Sequence, residues 1–275
     1  MLTRFAPSPT GYLHLGHVVN AIYVWGVAGA CGGRVRLRIE DHDRIRSRPP
    51  FERALLEDLA WLGFVPDEGR DPIDRQSDRP GVYEAALRQL ARTAHVYGCT
   101  CSRKDIGGEH YGGRCRDRGL PMTTGTSIRV HLEPGSEHFD DLRLGPIDQD
   151  PAAQCGDLLL KDRDGHWTYQ FAVTVDDVQQ GITTVIRGAD LLASTGRQIR
   201  LARLLGRATP AQYLHHPLIA NATGEKLSKA ARDTGIRELR AQGESPEKVI
   251  GLAAAAVGLA PHGTLLPATD VRRLF

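Results

Sequence analysis

Residues 2–40 read LTRFAPSPTGYLHLGHVVNAIYVWGVAGACGGRVRLRIE, and this stretch decides the fold of the chain. The pattern predicts a short strand at residues 2–6, a Pro/Gly loop at 7–11, and an apolar helix that begins near His14 and ends before Gly32-Gly33. Residues 34–40 alternate in polarity with a period of two, as a strand does. Two strands joined by one helix predict a parallel, right-handed βαβ unit, whose ligands bind at the carboxyl ends of the strands.

The rest of the chain continues this α/β pattern around one interruption. Frequent Gly and Pro, clustered Cys and weak helical periodicity indicate an insertion from residue 99 to about 154. The pattern predicts helices at 51–62, 82–94, 194–205 and 246–258, strands at 157–160, 182–186 and 212–219, and regular structure at 169–175. We therefore predict four parts: the first half of a parallel-sheet domain at 1–96, an inserted α+β subdomain at 97–156, the second half of the sheet domain at 157–229, and a short helical tail at 230–275.

The composition is that of an ordinary globular protein. The chain has 275 residues, of which 41% are hydrophobic and 25% are charged, and these values exclude collagen-like repetition, a disulfide scaffold and a largely disordered chain. No apolar run reaches the ~18 residues of a membrane span, and the N-terminus lacks the apolar core of a secretory signal. We expect a cytoplasmic protein without membrane contact. The net charge of +2 does not by itself predict a polyanionic partner.

Two short motifs indicate chemistry on a nucleotide. His14-Leu15-Gly16-His17 opens the first helix, where imidazoles and unpaired backbone N–H groups face the same anion. Lys226 and Lys229, two of only five lysines, share a loop that reads GEKLSK. Cationic groups on a loop can meet the charge that develops on phosphates, so both motifs together favour nucleotidyl transfer on ATP. Taken singly, they also fit two structural histidines and a solvated lysine pair.

These motifs resemble those of a known family. The segment RFAPSPTGYLHLGH at residues 4–17 resembles the opening of glutamyl-type class I aminoacyl-tRNA synthetases. KLSKA at 226–230 resembles the second signature of that family, a loop that contains lysines. RIED at 38–41 and RGADLL at 187–192 also resemble segments of this family. The resemblance implies a Rossmann-like parallel sheet with a zinc-containing insertion. It implies that His14, Gly16, His17 and Lys229 bind ATP with Mg²⁺, and that His14, His17, Lys226 and Lys229 act in catalysis.

A set of charged residues fits an acidic amino acid. Arg4, Glu40 and Arg187 each lie at the end of a predicted strand, and glutamate carries two carboxylates and one ammonium. Ordinary surface ion pairs are the alternative. The resemblance adds Ser8 and Tyr169 to the glutamate site. It favours Arg4 for the side-chain carboxylate, which the charges alone leave open.

The clustered cysteines predict a metal site. Cys99, Cys101 and Cys115 are three of five cysteines, and an odd count with local clustering favours a reduced protein with a metal over disulfides. Three thiolates and one further ligand suit structural zinc. The resemblance implies Tyr111 as that ligand, with His110 as the competitor and a metal-free cluster as the alternative. We expect Cys31 and Cys155 to be buried small hydrophobes.

The length after the lysine loop decides the expected acceptor. Only 46 residues follow Lys229, too few for the helical anticodon-binding region of a full glutamyl-tRNA synthetase. In this the chain resembles truncated paralogues, the glutamyl-queuosine tRNA(Asp) synthetases. The resemblance implies a monomeric ligase that activates L-glutamate with ATP without tRNA and then loads it onto queuosine in the tRNA(Asp) anticodon stem-loop. The alternatives are an ordinary or split synthetase that charges the 3′ end, a non-catalytic regulator, and a small-molecule adenylyltransferase.

Overall fold

The structure is a computed structural model that describes residues 1–219 and 235–275. It divides into two compact units. The first unit comprises Met1–Arg75, Thr183–Asp190 and Leu214–Phe275, and the second comprises Gln76–Ile182 and Leu191–Tyr213. The four-part division drawn from the sequence stays a prediction. No helix in the described ranges combines the length and the apolar character that crossing a bilayer demands.

Strands and helices alternate along the described chain. The strands are β1 (Leu2–Phe5), β2 (Arg34–Leu37), β3 (Val96–Cys99), β4 (Ser127–Val130), β5 (Glu137–Asp141), β6 (Gly145–Gln149), β7 (Leu158–Lys161), β8 (Thr184–Gly188) and β9 (Gln212–His216). The helices are α1 (Leu15–Ala30), α2 (Pro49–Leu62), α3 (Pro80–Thr93), α4 (Arg103–Ile106), α5 (Pro151–Cys155), α6 (Tyr169–Gln179), α7 (Thr195–Leu204), α8 (Ile236–Ala241) and α9 (Pro246–Ala256). Short 3₁₀ turns cover Gln76–Asp78, Ala189–Ser194 and Ala268–Leu274.

The predicted βαβ unit opens the first unit. β1 and β2 pair in parallel, from Leu2 opposite Arg34 to Phe5 opposite Leu37, with α1 between them in sequence. β2 ends three residues before the predicted end, at Leu37. Beyond it, the backbone N–H of Glu40 still donates to the carbonyl of Pro7 at 3.0 Å. The partner segment there contains Pro7 and Pro9, which have no N–H to donate, so a regular ladder cannot continue.

Helix α1 forms the centre of the first core. Its buried positions include Val18, Ile22 and Val24, and the core also contains side chains from β1, β2, α2, β8 and α9. The 3₁₀ turn at Ala268–Leu274 packs against the same helix. A Cβ atom on Gly26 would collide with the ring of Phe275 and crowd the carbonyl of Val271, so glycine allows this close approach. Helix α9, predicted at 246–258, is confirmed at Pro246–Ala256.

The second unit has a separate core. β3, β4 and β7 form an antiparallel sheet, and β5 and β6 form an antiparallel hairpin. A buried carboxylate fixes α6 within this unit. Asp176 accepts hydrogen bonds from Nε2 of Gln76, Nε of Arg79 and Oη of Tyr83, at 2.8, 2.8 and 2.9 Å. These bonds compensate for the burial of its charge. Residues 169–175 therefore belong to a helix whose first turn carries Tyr169.

The two cysteines outside the cluster have different environments. Cys155 is buried in the second core, as its sequence predicts, and its thiol donates to the carbonyl of Pro151 at 3.2 Å. The prediction for Cys31 is wrong, because Cys31 is exposed. It follows the last residue of α1, where its backbone N–H closes the helix on the carbonyl of Val27.

Candidate functional site

The two histidines of the first motif cap α1 reciprocally. The backbone N–H of Gly16 donates to Nδ1 of His14 at 3.1 Å, and the backbone N–H of His14 donates to Nδ1 of His17 at 3.2 Å. The ring centroids lie 4.0 Å apart. Because both Nδ1 atoms accept hydrogen bonds, neutral imidazoles carry their protons on Nε2. Each ring is therefore oriented to donate from Nε2 at the positive end of a helix.

The charged residues of the predicted amino acid site are buried in the same unit. Arg4, Glu40 and Arg187 are 4%, 5% and 3% exposed. This burial argues against ordinary surface ion pairs. Nη1 of Arg4 donates to the carbonyl of Ile186 at 3.2 Å, so the Arg4 guanidinium reaches the backbone next to Arg187. Ser8 is half-buried in the loop after β1.

Glu40 lies beyond the end of its strand rather than within it. Arg4 and Arg187 are the next-to-last residues of β1 and β8, whereas Glu40 follows Leu37, the last residue of β2. Arg38 supports Glu40: its Nη2 atom donates to Oε1 of Glu40 at 2.9 Å, and Arg38 is fully buried. The alternating strand pattern gave Arg38 no role, although its position two residues before Glu40 places both side chains on the same face.

Arg187 has a histidine partner that sequence analysis missed. Nε of Arg187 donates to Nε2 of His215 at 3.1 Å, and His215 is fully buried on β9. The pair His215-His216 at a strand end was the available signal. A buried guanidinium needs hydrogen-bond partners to hold one orientation, and His215 supplies one of them.

The structure describes one of the three remaining residues predicted for glutamate binding or catalysis, Tyr169. Tyr169 lies in the second unit, in the first turn of α6, where Thr168 caps the helix by accepting from the N–H of Phe171. Lys226 and Lys229 lie outside the described residues, so their predicted roles stay predictions.

The predicted metal ligands come together in the second unit. The Sγ atoms of Cys99, Cys101 and Cys115 all lie within 4.8 Å of one another, and the Cys101–Cys115 sulfur distance is 3.6 Å. Oη of Tyr111 lies 3.3 Å from Sγ of Cys99 and 3.8 Å from Sγ of Cys101. A tetrahedral zinc with Zn–S bonds of about 2.3 Å sets its sulfurs about 3.8 Å apart, so these residues fit that ion.

The structure separates the two candidates for the fourth ligand. Tyr111 is buried against the three cysteines, whereas His110 is exposed and does not join the cluster. Burial opposes ionisation of the Cys115 thiol. The backbone N–H of Thr100 and the hydrogen bonds of Tyr111 and Cys101 outweigh it and lower the pKa of Cys115 to about 6. Metal ligation requires deprotonated ligands, so the lowered pKa of Cys115 favours it, whereas burial raises the pKa of Cys101 and of Tyr111, and the charge of a bound cation would have to offset that burial.

Asp157 ties the loop that carries Cys115 to the sheet. Its carboxylate accepts hydrogen bonds from Nε and Nη2 of Arg116 at 2.9 and 3.0 Å and from Oη of Tyr97 at 2.5 Å. Burial opposes ionisation of Asp157, but these bonds and that of His131 outweigh it and hold the pKa of Asp157 below its usual value. The carboxylate is therefore a charged anchor for the segment that directly follows Cys115.

Comparisons with known proteins agree with this arrangement. Residues 1–264 match the family described as tRNA synthetases class I (E and Q), catalytic domain. The chain is 40% identical to a glutamyl-Q tRNA(Asp) synthetase of Rhodobacter capsulatus, over 92% of this chain and 100% of that protein, and 43% identical to one of Burkholderia cenocepacia, over 94% and 89%. The glutamate-tRNA synthetase structure of Elizabethkingia anophelis superposes with a TM-score of 0.83 at 28% identity. It covers all of this chain, which spans 65% of that synthetase.

Proposed function

Since this chain belongs to the class I tRNA synthetase family for E and Q, a family of ligases, we propose that it activates L-glutamate with ATP and then transfers it to queuosine in the anticodon loop of tRNA(Asp). The observation that carries the proposal is the burial of Arg4, Glu40 and Arg187 in the unit that holds the histidine-capped end of α1. Buried charges of both signs at this end of the strands suit a ligand that is itself dianionic and cationic.

The glutamate site uses the buried charges in complementary roles. Arg4 and Arg187 would each bind one carboxylate, with Arg4 on the side-chain carboxylate, and Glu40 would bind the ammonium. Ser8 and Tyr169 would add hydroxyl hydrogen bonds. Arg38 holds the Glu40 carboxylate and His215 holds the Arg187 guanidinium, so the charged groups are oriented before the ligand arrives.

Activation follows from the arrangement of His14 and His17. An oxygen of the glutamate α-carboxylate attacks the α-phosphorus of ATP, the bond to the bridging oxygen breaks, and pyrophosphate leaves. The Nε2–H groups of both histidines and the positive end of α1, where Gly16 lies, would stabilise the charge on the phosphate oxygens. Lys226 and Lys229 would act on the same charge, with Mg²⁺ bound to the phosphates. All the residues proposed for this step belong to this chain, so we expect activation not to require tRNA.

In the transfer step, a queuosine hydroxyl attacks the carbonyl carbon of glutamyl-adenylate. An ester forms, AMP leaves, and the hydroxyl proton passes to solvent or to the departing phosphate. Support for this acceptor comes from the relatives named glutamyl-Q tRNA(Asp) synthetases, which this chain matches over 92% or more of its length. The anticodon stem-loop is the part of tRNA(Asp) that would bind.

We also propose that Cys99, Cys101, Tyr111 and Cys115 hold one zinc ion. A bound Zn²⁺ would supply a structural cross-link between the end of β3 and the segment around Cys115. The packing of the three sulfurs and the tyrosine oxygen, together with the lowered pKa of Cys115, supports this ligand set.

Labelled glutamate, ATP and tRNA(Asp) with or without queuosine test the function directly. We expect glutamate-dependent exchange of pyrophosphate into ATP without tRNA, and stable label only on tRNA that contains queuosine. Exchange that strictly requires tRNA would contradict the proposed order of steps. Label at the 3′ end would favour an ordinary synthetase, and the absence of exchange would favour a regulator.

A further inference from the structure

The second unit contains a cavity of about 320 Å³ at the N-terminus of α6. Its walls include Arg129, Arg197 and the first-turn residues Tyr169 and Gln170. Apart from Tyr169, none of these residues has a role in the proposed glutamate or ATP sites. The volume is at the lower end of the range for small-molecule pockets, about 300–1,000 Å³. It suits a single small group rather than a length of duplex.

Two guanidinium groups in this wall have unused hydrogen-bonding capacity. Arg129 is 7% exposed; its Nη1 donates to the carbonyl of Asp157 at 2.9 Å, and its guanidinium lies 3.9 Å from the centre of the Tyr111 ring. The Nε atoms of Arg129 and Arg197 are buried and have no hydrogen-bond partner among the described residues, so an anion in the cavity would be bound through the Nη atoms and would compensate the charge of the whole guanidinium group. Buried cations with unsatisfied donors are costly unless an anion compensates for them.

The acids in the same wall do not supply that compensation. The Asp157 carboxylate already accepts from Arg116 and Tyr97, and the side chains within ion-pair distance of it are Arg116 and His131. Glu109, the other acid that lines the cavity, is exposed and its charge is solvated. Within the described residues, no ion pair includes Arg129 or Arg197. The interior of the cavity therefore favours an anion.

The start of α6 contributes to the same preference. Thr168 caps the helix by accepting the N–H of Phe171, and both Thr168 and the first turn of α6 lie in the cavity wall. α6 has 11 residues, long enough for its dipole to favour negative charge at this end. Helix N-termini with nearby arginines are common binding sites for phosphate groups.

From these contacts we propose that the cavity binds one phosphate group of an RNA nucleotide, with Arg129, Arg197 and the N-terminus of α6 as its ligands. The apolar walls at Tyr111 and Leu158 suit the sugar or base of the same nucleotide. The RNA source rests on the proposed function, whereas the phosphate chemistry does not. Inorganic phosphate supplies the same oxygens, so it serves as the first probe.

Calorimetric titration of the full chain with inorganic phosphate tests the site. Arg197→Gln removes a cation at a half-buried position, and Arg197→Lys restores the charge without the planar fork. Arg88→Gln is the matched control, because it makes the same charge change on an exposed residue of α3 outside the cavity. We expect phosphate affinity to fall about tenfold or more in Arg197→Gln, to recover partly in Arg197→Lys, and to stay unchanged in Arg88→Gln. Absence of binding, or equal affinity in Arg197→Gln and wild type, would overturn the proposal.

Two further measurements identify the source of the anion. Because Tyr169 lines the cavity, L-glutamate is titrated into the protein with phosphate bound. If glutamate displaces phosphate with an affinity equal to that of phosphate itself, the cavity is assigned to the amino acid and the proposal is overturned. Binding of the tRNA(Asp) anticodon stem-loop is then measured over a salt series. We expect the slope of log affinity against log salt to fall by about 1 in Arg197→Gln. An unchanged slope would overturn the RNA source and leave free phosphate as the ligand.

Glutamate-dependent pyrophosphate exchange by the wild-type protein distinguishes failure of the proposed function from failure of the proposed anion site. If exchange is absent while phosphate binds in an Arg197-dependent manner, the proposed function fails and the anion site stands. If exchange occurs and phosphate does not bind, the anion site fails and the proposed function stands.

Discussion

Nε of Arg187 donates a hydrogen bond to Nε2 of His215 across 3.1 Å, and neither side chain is exposed by more than 3%. His215 is thus a positioning residue for a guanidinium that we assign to a carboxylate of glutamate. A hydrogen bond to a charged group contributes about 1.5–3 kcal/mol, more than most single contacts. The orientation of Arg187 should therefore depend on this neighbour.

Substitution of His215 tests that dependence. In His215→Leu, we expect KM for glutamate to rise about tenfold or more in the exchange assay, with a smaller change in kcat, because binding loses orientation while the reacting atoms stay in place. His215→Gln retains an acceptor and should recover part of the affinity. An unchanged KM in a folded His215→Leu protein would remove His215 from the site.

The reciprocal cap at α1 allows folding and catalysis to be separated at His14. Asn is among the best N-cap residues, so His14→Asn should keep the cap and the stability of the helix while losing the Nε2–H donor. We expect exchange to fall about 100-fold or more, as for loss of other donors to a charged transition state, with the thermal midpoint nearly unchanged.

His14→Ala is the companion variant, because it loses the cap as well. We expect it to lose activity and about 0.5–2 kcal/mol of unfolding free energy, measured by urea denaturation. Wild-type exchange in His14→Asn would show that His14 is only a helix cap.

The metal site gives a prediction that distinguishes neighbouring residues. Tyr111→Phe removes the hydroxyl that lies 3.3 Å from Sγ of Cys99 and 3.8 Å from Sγ of Cys101, whereas His110 is exposed and outside the cluster. After dialysis against a chelator, we expect less zinc per chain in Tyr111→Phe and wild-type zinc in His110→Ala, measured by atomic absorption. Cys31→Ser is the thiol control. Zinc loss in His110→Ala alone would reverse the assignment.

The sequence predicts local features of this molecule well, because they depend on neighbours along the chain. The period of two in residues 34–40 and the Gly-Pro loop were enough to predict β1, α1 and the parallel crossover to β2. The end of β2 was predicted three residues too late, because the signal that ends it is the lack of N–H groups in the partner segment. The spacing of Cys99, Cys101 and Cys115 was enough to predict the cluster.

Contacts between distant segments could not be predicted in this way. Asp176 accepts hydrogen bonds from three residues that lie 93 to 100 positions earlier, and His215 supports Arg187 across 28 positions. No periodicity encodes such partners. The boundary of the second unit at Gln76 also depends on a contact between distant segments, because Gln76 is one of the residues that bind Asp176.

Asp58 on α2 gives a prediction of pH-dependent stability. It is 2% exposed, its Oδ2 atom has no partner among the described residues, and burial raises its pKa to about 6, although Arg240 and Arg237 act in the opposite direction. The folded state therefore holds the proton more tightly than the unfolded state. This group's contribution to stability is complete below the unfolded pKa near 4 and is lost as the pH rises through about 6.

Asp58→Asn removes the ionisation and keeps the shape of the side chain. We expect the variant to exceed the wild type by about 1–3 kcal/mol in unfolding free energy at about pH 7.5, and to match it closely at about pH 4, because only the ionised carboxylate is penalised by burial. Urea denaturation at both pH values measures the difference. Glu57→Gln, an exposed neighbour on the same helix, should show no such pH dependence. A constant difference between Asp58→Asn and wild type at both pH values would mean that Asp58 titrates normally in the folded protein.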